Sequence, residues 1–136
     1  MLTKADYPCI CLALLLAAVS SQCKAADTWS TEQKALGWTW GALQAIDYMQ
    51  TRYIAKHPDR YREVGSERWI GEHPTTKEVT KYFIGSTVFK LTLMHLMPTD
   101  FPIFNRTNFQ YLNIVYTGST VYHNNKIGIG IDVPFK

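Results

Sequence analysis

Asp47 follows directly on a stretch, Ala35 to Ile46, that carries no charge. A carboxylate among apolar residues either finds a partner or takes up a proton. The partners on offer elsewhere in the chain are Arg52, Arg106 and His123, and Gln50 and Asn124 can add hydrogen bonds around them. We therefore expect Asp47, Gln50, Arg52, Arg106, His123 and Asn124 to form a buried polar cluster. In the plainer outcome the cluster is a salt bridge that keeps helices in register. In the sharper outcome it handles protons or binds a small ligand, with Asp47, His73 and His123 as the working groups.

The other reactive residue types do not assemble into a motif. His57, His73, His95 and His123 lack helical ligand spacing such as HxxxH, and the cysteines, Cys9, Cys11 and Cys23, all lie at the start of the chain. That spacing offers no metal site and calls for no cofactor. No serine sits in a GxSxG elbow. Gly128-Ile129-Gly130 lacks the third glycine and the following helix of a dinucleotide fingerprint, so a close backbone approach is the better reading. Thr117-Gly118-Ser119 reads as a packing notch, and Asn105-Arg106-Thr107 fits a glycosylation sequon that has no meaning in a bacterium.

The elements that must position these residues are three long helices. Ser30 or Thr31 can cap the first, which we place at about residues 33–55. Gly37, Gly41 and Ala45 lie four apart on it, a small-residue stripe that lets another helix approach. Gln44, Asp47 and Thr51 fall on a neighbouring polar line. The second helix, at about 76–97, opens on Thr75-Thr76-Lys77-Glu78, a capping box, and stops before Pro98. Thr107 to Asn125 contains no Asp, Glu, Lys or Arg. Its β-branched and aromatic content would permit a strand, but its length favours a helix, at about 107–123. Ile127 to Phe135 alternates strictly and reads as an extended tail. Between the first two helices, residues 55–74 crowd charges of both signs and read as an exposed loop with one short helical turn. Trp69-Ile70 is expected to pin this loop to the core, and Arg60, Arg62, Glu67, Arg68 and His73 to face a partner.

The first 26 residues have the pattern of an export signal: basic Lys4, an apolar run from Ile10 to Val19, and small residues at Ala25 and Ala26. Lipidation at Cys23 is disfavoured by Gln22 before it, and a retained anchor would be near the short end for a span. Residues 27–136 then form a single helical domain without thiols, which excludes a disulfide-stapled fold. Removing the leader takes Lys4, Lys24 and Asp6 from the 14 basic and 11 acidic residues, leaving a net charge of +2, too small to argue for nucleic acid.

Two architectures compete for these helices. If they cross a membrane, the basic loop after the first helix and Lys126 fall on the same, cytoplasmic side. Asp47, Arg52, Lys90 and His95 make poor spans, however, and a water-bathed periplasmic bundle would let Lys90 face solvent. We expect a bundle that is embedded in the membrane or hugs it. Asp47-Tyr48-Met49-Gln50-Thr51-Arg52-Tyr53-Ile54, Gly71-Glu72-His73-Pro74-Thr75, Tyr82-Phe83, Phe109-Gln110-Tyr111, His123-Asn124 and Gly128 together resemble a group of small uncharacterised envelope proteins of proteobacteria and their phages. The chain departs from that group's pattern near Glu67-Arg68, where relatives carry Asn-Pro, and near Thr117, where they carry an acid. The resemblance implies a signal-bearing protein with hydrophobic helices and brings no activity with it. The expectation is an all-α, non-catalytic envelope protein, of the inner membrane or periplasm, that meets membrane lipid and another envelope protein. The alternative is an envelope enzyme or small-ligand binder built on a buried Asp/His cluster.

Overall fold

The structure, a computed structural model, describes residues 28–99 and 101–134. The leader and its three cysteines lie outside these residues. The described chain is all-α: α1 Thr31–Lys56, α2 Glu67–Ile70, α3 Thr76–Leu96 and α4 Arg106–Lys126.

Each long helix starts where its sequence satisfies the first free amides. Ser30 Oγ accepts from Gln33 N at 3.1 Å and Gln33 Oε1 accepts from Ser30 N at 3.2 Å. Thr75 and Glu78 form the expected reciprocal pair, with Thr75 N donating to Glu78 Oε2 at 2.8 Å. Asn105 Oδ1 accepts from Asn108 N at 2.8 Å and starts α4. Such caps are worth about 1 kcal/mol each. At the far end of α4, Gly128 takes φ +82°, a left-handed turn that glycine adopts without a Cβ penalty.

α1 is the central element. It packs most extensively on α4, less on α3, while α3 and α4 meet only sparsely. Gln110 Nε2 donates to Gln33 O at 2.9 Å near one end, and Asn124 Nδ2 to Gln50 Oε1 at 3.3 Å near the other, so α1 and α4 run parallel. Tyr48 and Thr80 hydroxyls meet at 3.0 Å while Lys90 Nζ lies 5.8 Å from the Trp40 ring centre, so α1 and α3 run antiparallel.

The interior is unusually polar. Among the described residues the buried apolar set is Trp40, Ile54, Val79, Phe83, Met94 and Ile129. A larger set of polar residues is buried beside them. On α4 these are Arg106, Gln110, Asn113, Thr117 and Asn124, whose spacing traces one helix face turned inward. The outward faces are apolar instead: Ile84, Val88 and Leu91 on α3, Leu112 and Val115 on α4, and Phe101, Ile103 and Phe104 between them.

Several expectations change. Trp69 is 78 % exposed and does not pin the loop. The buried residues there are Glu63, Ser66 and Pro74, and Glu63 N donates to Glu72 O at 2.8 Å across the loop. A side chain at Gly37 would meet Trp29 at 3.0 Å, but one at Gly41 would meet nothing within 4 Å. The close neighbour at Gly37 is thus the Trp29 ring just ahead of α1, and neither glycine of the stripe seats a neighbouring helix in tight contact. The alternating tail forms no β-ladder. It lies on α1 through Asp132 N, which donates to Met49 O at 3.2 Å, and through Gly130, flat against the Tyr53 ring. The reading of three membrane spans fails: no helix among the described residues is long and apolar enough to cross a membrane.

Candidate functional site

Asp47 faces inward from the middle of α1, and the packing of α3 and of the 57–75 loop closes over it. The result is a cavity of about 40 Å³ whose lining includes Asp47, Gln44, Glu63, Tyr82, Lys90 and Thr117. Gln44, Asp47 and Thr51, the polar line seen in the sequence, all contribute to it. Glu63 reaches the cavity because its Oε1 is held by Ser66, through the backbone N at 3.0 Å and Oγ at 3.1 Å.

The electrostatics follow from burial. The Asp47 carboxyl is pushed up to about 7, first by its loss of water, then by the Glu63 carboxylate, against an opposing pull from Lys90. Loss of water lowers the Lys90 ammonium from its ordinary value, and Asp47 partly offsets this. Tyr82 is raised, again by burial first. Among the described residues the ion pairs within 4 Å are Arg52–Asp132 and Lys56–Asp132, so none fixes Asp47.

The other residues expected beside Asp47 are dispersed. Arg52 Nε donates to Asp132 Oδ2 at 3.0 Å and Lys56 Nζ to Asp132 Oδ1 at 2.7 Å, which ties the tail to α1. Arg106 is 2 % exposed and lies at the other end of the bundle. Its guanidinium donates to the carbonyls of Met94, His95 and Met97 at 2.8–3.2 Å and closes the C-terminal end of α3. Gln50 and Asn124 bond to each other, and Gln50 Nε2 also donates to Val121 O at 3.4 Å. His123 and His73 are exposed, so an Asp47–His73–His123 constellation does not form. Arg60, Arg62, Glu67 and Arg68 are exposed with His73 on the loop, as their charge required.

Sequence reasoning missed Glu63 and Lys90 as companions of Asp47. For Lys90 a signal existed. It is the lone Lys, Arg, Asp or Glu between Tyr82 and Leu96, as Asp47 is between Ala35 and Thr51. Lone opposite charges on two neighbouring uncharged helices are drawn into one interior. Glu63 stands in a charge-rich loop, where nothing distinguishes it from its exposed neighbours.

Two carboxylates, an amine and phenols can exchange protons and hold an ion or water. A cavity of about 40 Å³ is far below the several hundred Å³ of an ordinary ligand pocket. Nor do three His, Cys, Asp or Glu side chains gather around a metal-sized space among the described residues. A second hollow, about 500 Å³, is an open apolar groove between α1 and α3 along Gly41, Tyr48, Phe83, Ile84 and Val88. No family model matches the chain, and neither a curated protein nor a solved structure is significantly similar to it.

Proposed function

We propose that this is a non-catalytic protein of the bacterial cell envelope, bacterial or phage-encoded, that beds one end of its bundle in lipid. The charged loop at the other end meets a protein partner. The observation that carries this reading is the reversed polarity of the bundle, with glutamine, asparagine and threonine inside and large apolar side chains outside. In water such a face would bury itself, because each fully buried Leu, Val or Phe gains about 1.5–3 kcal/mol. In lipid it costs nothing to leave it outward, and the polar side chains must then find each other.

Charge is segregated along the same axis. Residues 35–46 of α1, 82–96 of α3 (Lys90 apart) and 107–122 of α4 form an uncharged zone, given the parallel and antiparallel directions of these helices, with Glu32 and Lys34 at the tip beyond it. At 1.5 Å per residue these stretches measure about 18–24 Å, short of the ~30 Å hydrocarbon core. The reading is therefore of partial immersion. Lys56, Arg60, Arg62, Arg68, Lys77 and Lys81 gather at the opposite end. The export-signal pattern of residues 1–26 points to the same location.

The test is fractionation of the full chain with a C-terminal tag, followed by an alkaline carbonate wash. Retention in the membrane pellet is expected. Release into the supernatant, with the apolar face covered by a second copy in cross-linking, would replace lipid by self-association and overturn the reading.

A further inference from the structure

The cavity beside Asp47 is lined by several oxygen acceptors, one of them buried without a partner. Gln44 is 7 % exposed, lines this cavity, and its Oε1 is buried with no hydrogen-bond partner. Glu63 uses Oε1 for Ser66, which leaves Oε2 available. Ser86 and Thr120 commit their hydroxyl protons to the carbonyls of Phe83 and Tyr116 at 3.3 and 3.1 Å, so toward the cavity they can only accept. The side-chain donors that line the cavity are Lys90 and Tyr82 from α3, Tyr116 and Thr117 from α4, and Thr51 and the Gln44 amide nitrogen from α1. With Asp47, Glu63 and Lys90 all ionised, the cavity carries one excess negative charge.

From these oxygens and this charge balance we infer that the cavity between α1, α3 and the Glu63 loop binds one alkali-metal cation, held by Asp47, Glu63 and the Gln44 carbonyl oxygen. Hard oxygen donors suit such an ion. A single positive charge neutralises the site, whereas a divalent ion would leave a buried excess of the opposite sign. Magnesium, which keeps several of its waters, needs more room than about 40 Å³. An organic ammonium is excluded by the same volume. The inference is independent of where the bundle resides.

The experiment is thermal unfolding of the purified full chain in non-ionic detergent, with sodium chloride exchanged for choline chloride at fixed ionic strength. At about pH 8.5, Tm is expected to climb with the logarithm of sodium concentration, by roughly 5–10 °C per tenfold once the site fills. Because a proton on Asp47 competes with the ion, the half-filling concentration rises about tenfold per pH unit below the carboxyl's midpoint. Glu63→Gln is expected to abolish the sodium response. Gln44→Leu abolishes it too, yet melts above the parent in choline, because an unsatisfied buried acceptor has been removed. A purely structural glutamine would not show that reversal. Identical melting in sodium and choline, or a sodium response that survives in both variants, overturns the inference. A Tm that answers to pH alone would make the proton the occupant and overturn it equally.

Discussion

Asp47 shows how a single buried carboxyl writes itself into the pH dependence of a fold. Its value in the folded chain, about 7, lies above the ordinary 3.8. Between those two values the folded state keeps a proton that the unfolded chain has released. Stability therefore falls as pH rises through that window, and it levels off above the upper value, where both states are ionised. In sodium-free buffer, Asp47→Asn is expected to remove this slope and to raise unfolding free energy above neutral pH, by an amount on the order of 3 kcal/mol. Urea unfolding at a series of pH values measures both effects. An unchanged slope would mean that another group carries it.

At the scale of the helices, ends matter more than middles. Arg106 supplies the C-terminal end of α3 with three donors from a different helix. Arg106→Leu leaves those buried carbonyls unpaired and is expected to cost roughly 3 kcal/mol or more. Arg106→Lys should recover only part of this, since an ammonium cannot span the same fork. Chemical denaturation of the two variants checks the order. Thr75→Ala removes half of the α3 capping box and is expected to cost about 1 kcal/mol, read from the same curves. The tail behaves differently. Hydrogen bonds from Lys56 and then Arg52, opposed by partial desolvation, hold Asp132 below the usual carboxylate value. Asp132→Asn is expected to speed amide exchange in residues 128–134 while leaving the global transition nearly in place, because the two ion pairs of Asp132 anchor the tail to α1 and join no other helices. Hydrogen exchange resolved by mass spectrometry distinguishes the two effects.

For the whole molecule, the reversed polarity makes a prediction that a water-bathed bundle would not share. Val88 on α3 and Leu112 on α4 are 59 % and 66 % exposed. In water, Val88→Lys and Leu112→Lys would be nearly neutral, as surface substitutions usually are. In lipid each introduces a charge that costs up to about 3 kcal/mol at depth. The double variant is expected to leave the carbonate-resistant fraction, or to fall in abundance, while Arg62→Ala and Arg68→Ala on the charged loop do neither. Membrane retention equal to that of the parent would remove the apolar faces from the account.

The order and length of the helices were legible in the sequence because they depend on local chemistry. Thr75 with Glu78, Ser30 ahead of α1, and Pro98 after α3 act within a turn of themselves, and the helices fall within a few residues of where those signals put them. The position of the charged loop was legible for the same reason: ionised side chains seek water whatever the fold. The partners of Asp47, Arg52 and Arg106 were not. Sequence shows that a buried charge needs a partner, but the choice among several depends on helix direction and rotation. With α4 parallel to α1, Arg106 is carried to the far end of the bundle, while Lys90 and Glu63 are left beside Asp47. Tertiary structure also decided which face of each helix turns inward, since α4 carries both a polar and an apolar stripe. Which stripe is buried is set by the helices packed against it and the medium outside, and neither is encoded at any one position.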